Sequence, residues 1–402
     1  MKTNETNSSI IMIGFLLTFF SGFGQTFFIS LFADKILNDF ELNYSMWGSI
    51  YFISTIISAL SMILIGSLID KYNPQKIIFL FFSIYSFACF IMAVNENLLL
   101  LTVTIFLLRL CGQGMLSHIA LVLTGKYFEK KRGRVVAIVT LGFSLAESLL
   151  PIIFVKLMNN FSWKECWLIA GITLLLFNIF FYIIIKKKDL KKSQKKVNYI
   201  EQKGMKNINW RRKDVLKNWV FWVSMPAFIS QPAFTTIFFF QQIIFIKEKN
   251  WNLESYISLL PIYTSSSLLG LFFGGYIIDE FGIRFLLPYF LFPMSFGLLV
   301  SSFGINLLHA SFAFFLLGLM QGLGAIIFGS FWPDFYGTRN LGSIRSLASS
   351  IMIFSTAVGP LLSGIMLENK IYIEEQYFLL CIVTFFFSIG MIFVTFFSKK
   401  YF

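Results

Sequence analysis

Twelve apolar runs, each long enough to cross a bilayer as a helix, constrain the folding of this sequence more than any other feature. A spanning helix needs about 20 apolar residues. The runs lie at roughly 10–33, 46–69, 77–94, 98–125, 135–157, 165–185, 219–246, 256–278, 285–304, 309–331, 344–367 and 377–397. They are continuously apolar rather than alternating, which suits helices and not the strands of a membrane barrel. Composition agrees: 57 % of residues are hydrophobic, only 13 % are charged and Phe alone occurs 52 times. Soluble domains run near a quarter charged. No water-soluble core could enclose so much apolar surface, so lipid must cover it. The first run is too long for a signal-peptide core and lacks a small-residue cleavage site, which predicts that it stays as a helix.

Six runs lie on each side of one long polar stretch, Lys186 to Lys217, with 13 Lys or Arg against three acidic residues. It is expected to be a solvated linker, with contact to anionic headgroups as a secondary role. The predicted organisation is therefore 1–185, a six-helix half; 186–218, the linker; and 219–402, a second six-helix half. With the N-terminus cytoplasmic, inside segments hold 26 of the 33 basic residues, outside loops hold six, and Arg109 lies within a helix. The positive-inside rule then places both termini and the linker in the cytoplasm of a cell (inner) membrane protein. The net charge of +13 needs no nucleic acid, because no aromatic-interleaved basic patch accompanies it. Cys89, Cys111, Cys166 and Cys381 are scattered without paired spacing, so neither a disulfide framework nor a metal site is expected. There is no catalytic cluster, nucleotide loop or cofactor motif. An enzyme is not expected, nor is ATP driving.

The two halves repeat each other. Ser21, Thr26, Gly66, Asp70, Gly133 and Pro151 recur 209 residues later as Ser230, Thr235, Gly275, Asp279, Gly342 and Pro360. Gln113-Gly114 recurs as Gln321-Gly322 at 208. An offset covering six helices, an even number, inserts both copies with the same orientation.

After the second run the chain reads Gly66-Ser67-Leu68-Ile69-Asp70-Lys71, which resembles the G-x-L-x-D-[RK] loop signature of the major facilitator superfamily. Gly275-Tyr276-Ile277-Ile278-Asp279-Glu280 is similar to its weaker second copy. Arg109-Leu110-Cys111-Gly112-Gln113-Gly114 resembles the family's R-x-x-Q-G pattern with the Gln one residue late. Gly359-Pro360 looks like its G-P motif, which the first half matches only at Pro151. The resemblance covers the whole chain. It implies an all-α polytopic fold, twelve transmembrane helices as two parallel six-helix repeats, with the substrate site between the halves. It also implies a gate at the loop motif, formed by Gly66, Asp70, Lys71, Gly275, Asp279 and Arg345. Gly66 would allow close helix approach, and Asp70 would complement a facing helix N-terminus near Gly342 and Arg345.

Arg109 lies about 11 residues into its helix. A charge at mid-bilayer costs about 2.5–3.5 kcal/mol on insertion scales, so it should face a cavity or a partner. Glu147 reaches similar depth on the next helix. One possibility is a buried structural ion pair. The other has Arg109 holding an anionic substrate through its planar fork while Glu147 carries a proton. Gln113, one turn from Arg109, joins it. His118 should face away and pack. Gln25, beside Gly22 and Gly24, which allow local distortion, supplies a polar face in the first helix. Gln231, Thr235, Phe238 and Gln242 form a stripe at helical spacing along the seventh, with Pro232 a candidate kink. Gln321 completes the expected substrate lining. These features and the resemblance lead to one expectation: a monomeric secondary transporter working by alternating access, proton-coupled, moving a small organic solute, with a carboxylate favoured. The alternative is a proton-driven efflux pump for amphipathic or cationic compounds, with Glu147 as its acid.

Overall fold

The computed structural model describes residues 2–66, 68, 72–127, 132–186, 203–337 and 339–398, and every regular element in them is helical. The chain divides into two compact units, Met1–Asn198 and Tyr199–Phe402.

In the first unit α1 starts as Lys2–Phe20, tightens into a 3-10 turn at Ser21–Gly24, and passes through the extended Gln25. It resumes as Thr26–Ile29, Ser30–Phe32 and Ala33–Asp39. The limbs on either side of Gln25 are bent by 45°, so the run 10–33 is broken where Gly22 and Gly24 led us to expect distortion. Next come α2 (Tyr44–Ile65) and α3 (Pro74–Val94). The fourth helix, α4, has three pieces: α-helical Leu98–Leu108, π-helical Arg109–Leu116 and α-helical Ser117–Tyr127. α5 (Arg132–Leu157) and α6 (Trp163–Lys186) complete the unit.

The second unit contains α7 (Trp219–Phe240, continued by Gln242–Glu248), α8 (Leu260–Phe281), α9 (Phe292–Phe303), α10 (Leu307–Tyr336), α11 (Leu341–Glu368) and α12 (Ile373–Ser398). Asn residues start helices in both units. The side chains of Asn43, Asn73, Asn97, Asn218 and Asn306 each accept a bond from a first-turn N–H, satisfying a donor that the helix leaves open.

Ten helices among the described residues are long and apolar enough to cross a membrane, and the bent first pair makes an eleventh. The ninth run, expected as one helix over 285–304, is interrupted. Ile283–Leu286 is a short helix, a turn follows, and α9 starts only at Phe292. Pro288 and Pro293 fall at the break, where each removes an N–H and blocks the preceding turn.

The basic stretch also departs from expectation. Residues 187–202 lie outside the described residues, but the segment after them is not merely solvated. Met205, Trp210 and Val215 are buried. The Trp210 ring meets Tyr336 edge-on at 5.5 Å, and Asn340 donates to the Trp210 carbonyl at 2.7 Å. Three apolar residues among the charges anchor the segment to the α10–α11 corner.

Helix packing within each unit relies on small residues. Thr18 bonds the Val139 carbonyl of α5. An added Cβ at Gly270 or Gly274 of α8 would strike α10, at the Leu319 carbonyl and the Ile326 side chain respectively. Close approach of this kind substitutes for a hydrophobic drive in lipid.

Candidate functional site

Arg109 opens the π-helical stretch of α4 and is fully buried. Its guanidinium carbon stands 5.0 Å from the centre of the Tyr51 ring, a desolvated cation–π contact worth about 2 kcal/mol. Nη1 donates to the Gly24 carbonyl at 3.4 Å and to Thr26 Oγ1 at 3.3 Å. Both acceptors sit at the break in α1, where the chain leaves helical geometry. Thr26 and Tyr51 share a hydroxyl hydrogen bond of 2.6 Å, and Tyr85 donates to the Ser21 carbonyl at 3.2 Å. Nε and Nη2 of Arg109 are buried without a hydrogen-bond partner among the described residues.

Two irregularities therefore meet at one place. A Cβ added at Gly112 would lie 2.7 Å from Gly24 Cα and collide with the Tyr85 hydroxyl, so the broken α1 and the π-stretch touch backbone to backbone. A π-turn, closed by i→i+5 bonds, holds one residue more than an α-turn. The repeat shows the same residue. Flanking pairs such as Gly66/Gly275 and Gly133/Gly342 differ by 209, whereas Gln113/Gln321 differ by 208. By Gln113 the first half has gained one residue over the second. That residue also makes the Gln late in the R-x-x-Q-G pattern.

Arg109 and Glu147 are not brought together: no ion pair within 4 Å and no hydrogen bond joins them. Glu147 is buried on α5, 6 % exposed, and Arg109 faces tyrosines and backbone instead. In this structure the two form no pair. Gln113 is half-buried on the π-stretch, and Gln25 is buried at the α1 break. His118 does more than pack, since its Nε2 donates to the Gly66 carbonyl at 3.1 Å.

In the second unit Gln231 Nε2 donates to Gln321 Oε1 at 2.9 Å, tying α7 to α10. The stripe expected along the seventh helix is only partly continuous. Helix α7 runs through Pro226 and Pro232 and breaks at Gln241 instead (φ −95°, ψ 5°). Thr235 is half-buried, while Phe238 is buried and stacks on Tyr377 at 5.4 Å. Gln242 starts the following segment and is buried. Gln241, absent from the expected set, donates to Ser363 Oγ at 3.0 Å. Ser363 in turn donates to Gln376 Oε1, so this network spans α7, α11 and α12.

Of the gate residues, Asp70 and Lys71 lie outside the described residues. Asp279 belongs to α8 and Arg345 to α11, their side chains not being described. Gly66 ends α2, and an added Cβ there would meet the Met62 carbonyl of its own helix, with His118 the next neighbour. Nothing lies within 4 Å of an added Cβ at Gly275. At Gly66 the neighbouring helix approaches through His118, and backbone-close approach is found at Gly24, Gly112, Gly270 and other glycines.

The residues missed by sequence reasoning are Tyr51, Tyr85 and the Gly24 carbonyl, which enclose Arg109. The tyrosines carry a faint signal, as hydroxyls in mid-helix among apolar neighbours. The carbonyl carries none, because only the break in α1 exposes it.

Comparison with known proteins matches this architecture. The sequence matches the family model of the Major Facilitator Superfamily over residues 14–360. No curated protein matches it at a significant level. A bacterial homologue of the human lysosomal transporter Spinster, in an inward-facing and unoccupied conformation, aligns with a TM-score of 0.72 at 14 % identity, covering 98 % of this chain and 97 % of its own. The nucleoside transporter NupG, solved as a mutant, aligns with a TM-score of 0.72 at 13 % identity, covering 98 % of this chain and all of its own. At such identities the likeness establishes a shared fold. The family match spans most of the sequence, and the doubled helices and the loop beginning at Gly66 agree with it: this chain belongs to the Major Facilitator Superfamily and is a multi-pass membrane transporter, not an enzyme.

Proposed function

We propose that this transporter moves a small organic carboxylate by proton-coupled alternating access, with Arg109 holding the carboxylate and Glu147 carrying the proton. The observation that carries this reading is the buried edge of Arg109. Nε and Nη2 have no partner among the described residues, and these two N–H groups lie on the side of the guanidinium that donates two parallel bonds to a carboxylate. A buried cation without an anion is expensive, by several kcal/mol, so an anionic substrate group would relieve what the fold leaves uncompensated. Among the described residues Glu147 has no counter-ion, so it can gain or lose a proton without breaking a salt bridge there. Gln113, Gln25, Gln231, Thr235, Gln242 and Gln321 supply neutral polar contacts in the same reading. The gate residues Gly66, Asp70, Lys71, Gly275, Asp279 and Arg345, a monomer and cytoplasmic termini belong to it as well. The second reading, efflux of amphipathic cations, is favoured by the same lack of a counter-ion at Glu147.

Proteoliposome flux under a pH gradient separates them, screening monocarboxylates against lipophilic cations. Arg109→Gln should lower carboxylate uptake on the order of 100-fold, the scale of losing one partner of a buried charge pair, with the protein still monodisperse in detergent. Glu147→Gln should abolish accumulation against the gradient and leave exchange. Normal carboxylate uptake by Arg109→Gln would overturn the first reading. Cation extrusion without carboxylate uptake would establish the second.

A further inference from the structure

We propose that the second unit binds a membrane phospholipid at the shared end of α8, α10 and α12, and that it selects a headgroup bearing both a phosphate and a primary ammonium. A cavity of about 930 Å³ lies there, with Arg284, Phe285, Tyr289, Ser330, Asp334 and Thr395 in its wall. It sits just past the apolar stretch Leu253–Ile278, where the chain turns at Gly282 (φ 77°). Arg284 and Asp334 are both half-buried and close enough to act on each other electrostatically. A base and an acid in one cavity wall, with three hydroxyls, match the opposite charges of a zwitterionic headgroup. A simple anion would satisfy only the base.

The walls indicate lipid rather than a soluble solute. From the charged mouth a file of rings runs along α9 to α12: Phe281–Phe285 at 5.2 Å, Phe285–Tyr289 at 6.1 Å, Tyr289–Phe292 at 6.3 Å and Phe292–Phe385 at 6.0 Å. Phe281, Phe285 and Tyr289 are 64, 53 and 54 % exposed. A continuous apolar rail leading out of a polar mouth accommodates an acyl chain and its headgroup together, and such a patch marks a binding surface.

The internal repeat supplies an independent observation. The first unit has a cavity of about 220 Å³ lined by Asn73, Gln75, Lys76 and Phe79. Adding 209 to these numbers gives Gly282, Arg284, Phe285 and Pro288, which all line the larger cavity. Each cavity carries one base ahead of or within the first turn of the third helix, Lys76 in α3 and Arg284 in the short helix before α9, one position apart in the repeat register. Only the second adds an acid, so headgroup selection resides there.

The test uses the full chain, reconstituted in vesicles of equal parts phosphatidylethanolamine, phosphatidylglycerol and phosphatidylcholine, then extracted for native mass spectrometry. Wild type should retain phosphatidylethanolamine several-fold over phosphatidylglycerol. Arg284→Gln should lower retention of all three about tenfold. Asp334→Asn should erase the preference and keep the total. Retention in the bulk ratio by wild type, or the wild-type pattern in both variants, would overturn the proposal. A photoreactive phosphatidylethanolamine applied to wild type needs no variant to fold. Crosslinks on α9 and the end of α10 support the site, and crosslinks confined to other helices would overturn it.

Discussion

Helices α4 and α10 occupy equivalent places in the two halves, yet they are built differently. α10 runs unbroken for 30 residues, and its polar centre is the neutral pair Gln321–Gln231. α4 carries one residue more by mid-span, absorbs it as a π-helix, and starts that stretch with a buried cation. The partner helices differ in the same sense. α1 is bent by 45° where Arg109 meets it, whereas α7 passes straight through the equivalent region and breaks only at Gln241. The difference teaches how a membrane fold houses a charge. Regular helices hide their carbonyls, so a buried guanidinium needs a break that releases one. π-bulges in helices recur at functional sites for related reasons. At mid-helix, α4 thus carries a buried charge where α10 carries a neutral amide pair.

This contrast can be broken by substitution. Gly112→Ala has the largest expected cost, about 1–3 kcal/mol of overpacking, because its Cβ meets the Gly24 backbone and the Tyr85 hydroxyl. Gly324→Ala is its control, since its neighbour is the flexible end of the Gln231 side chain. Thermal unfolding in detergent should separate the two variants clearly; equal midpoints would mean that the α1–α4 contact is no tighter than the one in the second half. Gln321→Leu comes next. It leaves the buried Gln231 amide without its acceptor, at about 1–3 kcal/mol, and should alter flux far less than Arg109→Gln. A matching loss of flux would show that the neutral pair matters as much as the charge. Tyr51→Phe should cost least, about 0.5–1 kcal/mol for one hydrogen bond to Thr26, because the ring stays beside Arg109. A larger drop would mean that the hydroxyl, not the ring, holds the arginine.

Much of the fold was legible in the sequence because lipid allows a spanning segment so few solutions. Twelve apolar runs, the charge bias of the loops and a constant offset between halves each report on that restriction. The expected distortion at Gly22 and Gly24 appears as the break in α1. Less legible were the ends and interruptions. Pro288 and Pro293 divided a run that hydropathy alone read as whole, and the break in α7 fell at Gln241 rather than at Pro232. Met205, Trp210 and Val215 were hidden among charges, so a docked segment looked like a solvated linker.

The sequence by itself determined the class, the apolar runs and their duplication, because hydropathy depends only on residue order. It even contained the extra residue of α4, visible as an offset of 208 instead of 209. What only the tertiary structure decided was where the charges point. Arg109 and Glu147 lie on consecutive helices, yet Arg109 turns to Tyr51, Thr26 and the Gly24 carbonyl. That direction depends on a π-turn meeting a broken helix, and backbone irregularities of this kind arise from packing between segments distant in sequence.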